Sequence, residues 1–544
     1  MLWGLIHLTG MAVCPKVMHW GPPKGSRRSE RLPLRSGYPV CRRARFGRWS
    51  ASAAKLRRRL DMTCRLWARR RLYGRRVQSC GLWDVPVLFL ISSARVERAL
   101  GCRSCEPRPG SGLEQWSWIG GSKRMKLLRT TFVAMGLRVG AACFNLAMIL
   151  VLARASSVST FGYCSAILAS SAIVMTFCIR GYDSAAVRFG STLAGPGWAK
   201  FDALARQTNV VMSLVAGGAF AVFGGVMHAL GGNSVAVVAW GIAAISPMLA
   251  RIRYYESVLR AHGSTVESQV YSGIVAPLLT IVGILGVGSL GVEVLWGFAV
   301  VRALAMLGLV VILMLRARGC HGRTGDAGLE FDRSNVRSAS YFLMWVAVLN
   351  AVISQADIPL VVALAGATEG GAYAAAARVA SALAIVVVAV NFGIAPQMAR
   401  LHADGRMGEL SRLYRRGVIL CAVLMTLCGG GVVAFAPQIL GLLGGDYVGS
   451  VEVLRVLVLG QCVNSAFGPI GSLLNMTGAH ADALMAIGVG AALNLGLVVA
   501  LVPNAGGLGA AIASVLAIAC WNVLMFARAL SRGLISVRGI LSRG

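Results

Sequence analysis

From residue 130 onward the chain repeats one pattern, apolar stretches of about 20 residues separated by short polar breaks. A helix needs that length to cross a hydrocarbon layer about 30 Å thick, since each residue advances it by about 1.5 Å. In hydrocarbon every backbone N–H and C=O has to be paired internally, so a series of such stretches folds as a bundle of spanning helices. Composition agrees. Of 544 residues, 56% are hydrophobic and only 14% charged, with a mean hydropathy of +0.68. A soluble domain carries about 25% charged residues. The deficit excludes a soluble globular enzyme, a disordered chain and a disulfide scaffold. The fold class is all-α and polytopic, with twelve transmembrane helices predicted near 131–153, 159–179, 207–230, 234–254, 268–288, 291–315, 338–365, 371–395, 417–441, 451–475, 482–502 and 506–528.

Arginine placement tests that count, because basic loops stay cytoplasmic. Breaks after even-numbered spans carry Arg180, Arg188, Lys200 and Arg206, then Arg260, then Arg316, Arg318, Arg323, Arg333 and Arg337. After span eight come Arg400, Arg406, Arg412, Arg415 and Arg416, and after span twelve Arg528, Arg532, Arg538 and Arg543. Breaks after odd-numbered spans hold Arg154 and little else. The alternation predicts a multi-pass plasma-membrane protein with both termini cytoplasmic. One cytoplasmic break, Thr477–Asp482, is out of pattern and offers only His480. The longest break, Arg316 to Arg337, divides the spans six and six. Lobes of even span number enter the membrane in the same sense, which permits a parallel repeat about an axis along the membrane normal. Phe161-Gly162-Tyr163 opening span two and Gly371-Ala372-Tyr373 opening span eight are a weak echo of such a repeat. The expected organisation is a six-helix lobe over 125–316, a cytoplasmic linker over 317–337, a second six-helix lobe over 338–530 and a tail over 531–544.

Residues 1–124 differ in kind. They hold 26 Lys/Arg against 6 Asp/Glu, so +20 of the chain's formal +33 sits there, with seven of the twelve Trp and six of the fourteen Cys. Their longest apolar run, Val85 to Ile91, is far too short to span. No signal or transit peptide pattern fits. A basic tail with interleaved Trp suits nucleic acid or anionic lipid, but no RNA- or DNA-binding motif accompanies it, so no nucleic-acid partner is expected. Cys102-Arg103-Ser104-Cys105 supplies two of the four ligands a zinc site needs. The expectation is a basic segment that is disordered or untranslated, the working protein beginning at Met125-Lys126-Leu127-Leu128-Arg129.

Ionisable residues deep in a span cost about 2.5–3.5 kcal/mol on insertion scales and face a cavity or a partner. Arg138 lies about 13 Å into span one and Arg302 midway along span six. Asp357 in span seven and Arg378 in span eight sit at similar separations from the break at Ala367–Gly370. They are read either as an ion pair bridging two helices or as cavity groups. Arg302 is read as a helix–helix bond or a ligand. Arg138 is read as lining the cleft. An excess of Arg over acid suits an anionic cargo such as a pyrophosphate, which guanidinium grips bidentately. Gln355, Asn391 and Gln397 are polar enough to line such a cavity or to bond a neighbouring helix. No GxxxxGK[ST] nucleotide loop and no HExxH occurs, and the Cys after residue 125 are scattered singly as packing residues. No cofactor or metal is expected, and no enzymatic chemistry.

Several runs resemble one family. Gly371-Ala372-Tyr373-Ala374-Ala375-Ala376-Ala377-Arg378-Val379-Ala380, continuing to Ile394-Ala395-Pro396-Gln397-Met398-Ala399-Arg400, resembles the eighth span of the polysaccharide-export flippases. These are the Wzx-like branch of the multidrug/oligosaccharidyl-lipid/polysaccharide (MOP) superfamily. Gly468-Pro469-Ile470-Gly471-Ser472 through Gly478 resembles the end of that family's span ten. Asn494 to Pro503 with Gly506-Gly507-Leu508-Gly509 resembles its last hairpin, and Phe161-Gly162-Tyr163 and Ala186-Val187-Arg188-Phe189 fit the same pattern. The resemblance covers residues 130 to 530. It implies a flippase moving an undecaprenyl-pyrophosphate-linked oligosaccharide across the inner membrane by alternating access, for surface polysaccharide synthesis. Arg138 and Arg378 would lie near the pyrophosphate, with Asp357 a charge partner or coupling acid. A polysaccharide polymerase and a chain-length regulator are the partners it implies, besides membrane lipids. The alternatives are a cation-coupled multidrug exporter, which should show more deep acids, and a peptidoglycan lipid-precursor flippase, commonly with more than twelve spans. A membrane polymerase or glycosyltransferase would need a large outer loop or an acidic cluster.

Overall fold

The computed structural model describes residues 121–190, 193, 196–289, 293–318 and 332–535. The basic segment before Gly121, with Cys102 and Cys105, and the centre of the linker lie outside the described residues. Eleven helices among the described residues are long and apolar enough to cross a membrane. The last, of 52 residues, would be about 78 Å long if straight, more than twice a hydrocarbon layer. It turns back at Gly506 (φ 53°, ψ −137°), a conformation glycine adopts without steric cost, and so supplies two spans.

The first lobe runs α1 (Gly121–Ala155), α2 (Val158–Ile179), a short α3 (Tyr182–Gly190), α4 (Pro196–Ala229), α5 (Asn233–Ala261), then α6 (Thr265–Val270) and α7 (Ala276–Ser289), and α8 (Val294–Arg318). A π-helical turn, Tyr271–Val275, joins α6 and α7 into span five, and no sequence signal announced it. Helix α5 is the hub, packed against α2, α4 and α8. The second lobe runs α9 (Arg333–Gln355), α10 (Asp357–Ala365), α11 (Ala367–Ala382), α12 (Ala384–Ala403), α13 (Met407–Ala434), α14 (Ala436–Leu443), α15 (Val451–Phe467), α16 (Ile470–Met476) and the doubled α17 (His480–Ser531).

Three predicted spans are interrupted. Span seven breaks at Ala356, where Pro359 lacks the N–H that would reach back to Gln355. Span nine ends at Ala434 rather than 441, with Pro437 in the first turn of α14. Span ten ends at Phe467, because Gly468 (φ 56°) and Pro469 stop α15 eight residues before the predicted boundary. The arginine-poor break Thr477–Asp482 also gains an explanation. Arg532, from the end of the chain, pairs with Asp482, and Arg528 reaches Met485. The missing cation is supplied in space rather than in sequence.

The apolar core is one body at the arginine-poor face and two at the other. At the arginine-poor face a single cluster unites Leu152 and Phe161 of the first lobe with Tyr373, Leu440 and Tyr447 of the second. At the arginine-rich face one cluster gathers Tyr182, Trp198, Phe201 and Tyr254 of the first lobe. A separate one gathers Met398, Tyr414, Leu473 and Met525 of the second. The lobes are therefore sealed to each other at the arginine-poor face, while at the arginine-rich face they meet through α9, whose Val336 joins the first lobe's cluster and whose Ser340 carbonyl lies against Gly181.

Candidate functional site

The seal is built where α2 crosses α11. Gly162 is the fifth residue of α2 and Gly371 the fifth of α11. A Cβ on Gly162 would overlap the carbonyl oxygen of Ala367, the first residue of α11. A Cβ on Gly371 would overlap the carbonyl oxygen of Val158, the first residue of α2. Only hydrogen at both positions lets the backbones approach so closely. Around them, Tyr447 stands edge-on to Phe161 with ring centroids 5.6 Å apart, and the Arg154 Nε donates to the Leu442 carbonyl at 2.8 Å. A cavity of about 510 Å³ opens beside this crossing, lined in part by Ser157, Ser159, Glu369, Tyr373 and Asp446. The Glu369 carboxylate accepts a hydrogen bond from the Gly507 N–H at 3.1 Å. It thereby caps the helix segment that follows the Gly506 kink.

Asp357, placed by the break in span seven, opens α10 and faces α17 and α11. Its Oδ2 accepts hydrogen bonds from the Ser514 hydroxyl at 2.6 Å and the Tyr373 hydroxyl at 3.0 Å. The Asn494 side chain is a third polar neighbour. The second carboxyl oxygen, Oδ1, is buried with no hydrogen-bond partner, as is Oδ1 of Asn494. A carboxyl held through one oxygen, its other oxygen spare, is equipped to carry a proton or meet a small cation. Of the two readings of Asp357 and Arg378, the ion pair is not formed. The Tyr373 phenol, on the same helix and five residues nearer its start, fills the space beside Asp357 instead. Arg378 is half-buried and its Nε has no hydrogen-bond partner.

Arg302 is buried and ties three helices together. It donates to the Thr280 hydroxyl of α7 at 2.7 Å and approaches the Met148 sulfur of α1 at 3.7 Å. That geometry is the helix–helix bond among its two readings. Arg138 is exposed on α1, and its charge, with those of Arg253, Glu256 and Asp183, acts on Arg260 at the end of α5. Gln355, half-buried, is the last residue of α9. Asn391 is half-buried on α12 with a buried, unpartnered Oδ1. Gln397, exposed, donates to its own helix at the Gly393 carbonyl and lines a second cavity at the arginine-rich face. The seven residues thus do not converge on one point. Tyr373 was noticed in the sequence only within the repeat echo and the family resemblance, and Ser514 gave no signal at all. Cys164, Cys178 and Cys421 are fully buried and free, as packing residues are. Among the described residues no three His, Cys, Asp or Glu side chains gather as metal ligands.

Comparison with known proteins follows the same architecture. The MatE family profile matches residues 343–500. A search of curated protein sequences finds no match. Among solved structures, one similar chain is an inward-facing multidrug resistance MATE family transporter of the MOP superfamily. It is 12% identical, with 74% of this chain and 98% of that chain covered and a TM-score of 0.57. The lipid II flippase MurJ in an inward closed conformation is 11% identical over 75% of this chain and 89% of its own, at 0.55. A MOP superfamily transporter from Pyrococcus furiosus, described as having a binding pocket of reverse polarity, is 13% identical over 75% of this chain and 95% of its own, at 0.51. Two helical lobes, twelve spans and a MatE match within the second lobe give this chain the fold of the MOP-superfamily transporters.

Proposed function

We propose that the chain is a flippase for an anionic lipid-linked oligosaccharide, an undecaprenyl-diphosphate-linked repeat unit, working by alternating access in the inner membrane. The arginine-rich face is cytoplasmic in this reading, so the side on which, among the described residues, α9 alone joins the two apolar clusters is the side where such units are made. Arg378 is the observation that carries the choice of cargo. It is a cation within a span whose Nε lacks a partner, and an anionic group passing between the lobes offers the bidentate acceptor it lacks. Arg138 adds a second cation on the approach from the arginine-rich face. Asp357 serves as the coupling acid, its spare oxygen loading and releasing a proton or cation as the lobes move. A polymerase and a chain-length regulator would take the product.

A second reading, a cation-coupled drug exporter, is favoured by the MatE match and by the Asp357 cluster. One experiment separates them. A deletion strain is profiled for lipid-linked glycans, surface polysaccharide and sensitivity to cationic drugs, then complemented with the wild-type chain or Arg378→Gln. Accumulated undecaprenyl-linked units and lost surface glycan, restored by wild type but not by the variant, are expected. Unchanged glycans with new drug sensitivity would refute the flippase and install the exporter.

A further inference from the structure

The second cavity, of about 490 Å³, lies at the arginine-rich face between the end of α12 and the start of α13. Arg400 enters it from α12, with Gln397 one turn earlier, and Arg412 and Arg416 enter from one face of α13. Arg406 also lines it but is neutralised by Glu409, to which it is paired at 2.5 Å. Asp404 is the one further carboxylate in the lining. Three arginines thus converge on a single space. A basic loop satisfies the positive-inside rule with its charges anywhere on that face. Gathering them from two helices around one cavity costs mutual repulsion unless an anion sits among them.

Helix α13 says what kind of anion. Its 28 residues are about 42 Å long, so its first turns stand at headgroup level when the rest crosses the hydrocarbon. Arg412 and Arg416 are in those turns. At 100° per residue, Arg412, Arg416, Leu420, Val423 and Leu427 fall on one stripe about 80° wide. The three apolar members are exposed, by 46%, 51% and 69%. From Arg416 to Leu427 the stripe descends about 16 Å, the depth of one leaflet. A cationic head position followed on the same face by an open apolar track of that length matches a membrane lipid, not a free anion.

We propose that this face binds an anionic membrane lipid, its phosphate between Arg400, Arg412 and Arg416 and one hydrocarbon chain along Leu420, Val423 and Leu427. The site is independent of the cargo reading above and stands if that reading fails. The test uses the full chain purified in neutral detergent with phosphatidylcholine, titrated with long-chain phosphatidylglycerol and read by native mass spectrometry. The double variant Arg412→Gln/Arg416→Gln should weaken binding about thirtyfold, the electrostatic share of two interfacial arginines. The charge-keeping Arg412→Lys/Arg416→Lys should recover most of it, which rules out misfolding as the cause. Arg333→Gln/Arg337→Gln, exposed arginines of the same face away from the cavity, should bind as wild type. Equal loss in that control, or no loss in the first variant, overturns the proposal. Short-chain phosphatidylglycerol binding as tightly as the long-chain form, or displacement by inorganic pyrophosphate at matched concentration, overturns it as well, because the apolar track then contributes nothing. Geranylgeranyl diphosphate distinguishes the lipid sources: displacement at lower concentration than phosphatidylglycerol needs assigns the site to diphosphate lipids, and otherwise it belongs to bulk phospholipid.

Discussion

Gly371→Ala tests whether the α2–α11 crossing is a gate or merely part of the fold. The added methyl would lie inside the Val158 carbonyl oxygen and 3.1 Å from the Gly162 nitrogen. Both obstacles are backbone in regular helix, so neither can rotate aside, and the two helices have to part. Overpacking of this kind costs about 1–3 kcal/mol. Because the obstructed contact joins the lobes and not the helices within one lobe, that cost falls on the sealed state alone. A shift of about 1.4 kcal/mol is tenfold in the ratio of sealed to parted molecules. Spin labels introduced as noncanonical residues at Ser159 and Gly449, on opposite lobes beside the crossing, report that ratio by electron–electron distance measurement in nanodiscs. The ratio of short- to long-distance populations should fall about tenfold in Gly371→Ala, with little change in melting temperature. Gly430→Ala, where a Cβ meets nothing within 4 Å, should change neither. In Gly162→Ala/Gly371→Ala the second methyl should add less than the first, since the helices are already apart. An unchanged distance distribution accompanied by a large loss of melting temperature would show that the crossing holds the fold and not a gate.

Two further substitutions probe the deep polar groups. Asp357→Ala strips the acceptor from the Tyr373 and Ser514 hydroxyls. The Ser514 hydroxyl can turn to the Ala510 carbonyl and the Tyr373 hydroxyl to Ser514, so the cost should be about 1 kcal/mol, seen as a slightly lower midpoint in thermal unfolding. Asp357→Asn, which keeps an oxygen there, should unfold near wild type while losing transport if the acid is the coupling group. Arg302→Met should be tolerated to within about 1 kcal/mol, because an apolar chain of similar volume replaces a buried guanidinium whose Nε is unsatisfied. Arg302→Ala should be clearly less stable in the same assay, since it leaves a void beside Met148 and Thr280.

What the sequence shows and hides follows from how far apart the relevant residues lie. Spans are legible because hydropathy sums over a window, and their orientation is legible because arginine is counted loop by loop. The breaks at Ala356, Phe435 and Gly468 were hidden by apolar neighbours that kept the window average high, although Pro359, Pro437 and Pro469 were in plain view. The surroundings of Asp357 were not legible. Its two hydrogen-bond donors lie 16 and 157 residues away, and nothing local marks Ser514 as the one serine that meets it. Arg400, Arg412 and Arg416 were visible, but only as topology signals. Their convergence depends on the angle at which α12 hands over to α13. The choice between the two readings of Asp357 and Arg378 was not legible for a related reason. Equal distance from a turn fixes depth along two helices, not the direction in which either side chain leaves its axis.

The repeat, faint in sequence, is exact in one contact. The fifth residue of α2 meets the first of α11, and the fifth of α11 meets the first of α2, which is the reciprocal pattern a two-fold axis imposes on elements that touch across it. Numbered from the same origin, other positions of the two helices have diverged. The seventh residue is Cys164 in α2 and Tyr373 in α11, and the twelfth is Ala169 in α2 and Arg378 in α11. Cys164 and Ala169 are wholly buried among apolar neighbours. Tyr373 instead bonds Asp357, and Arg378 stands half-buried with a donor to spare. The two lobes therefore share the residues that close them against each other and differ in the residues that carry charge. In the flippase reading, a rocking motion about the shared contact needs the symmetry, whereas recognition of an asymmetric cargo needs its loss. On that reading Gly162 and Gly371 serve the motion, and Asp357 and Arg378, on the diverged positions, serve the cargo.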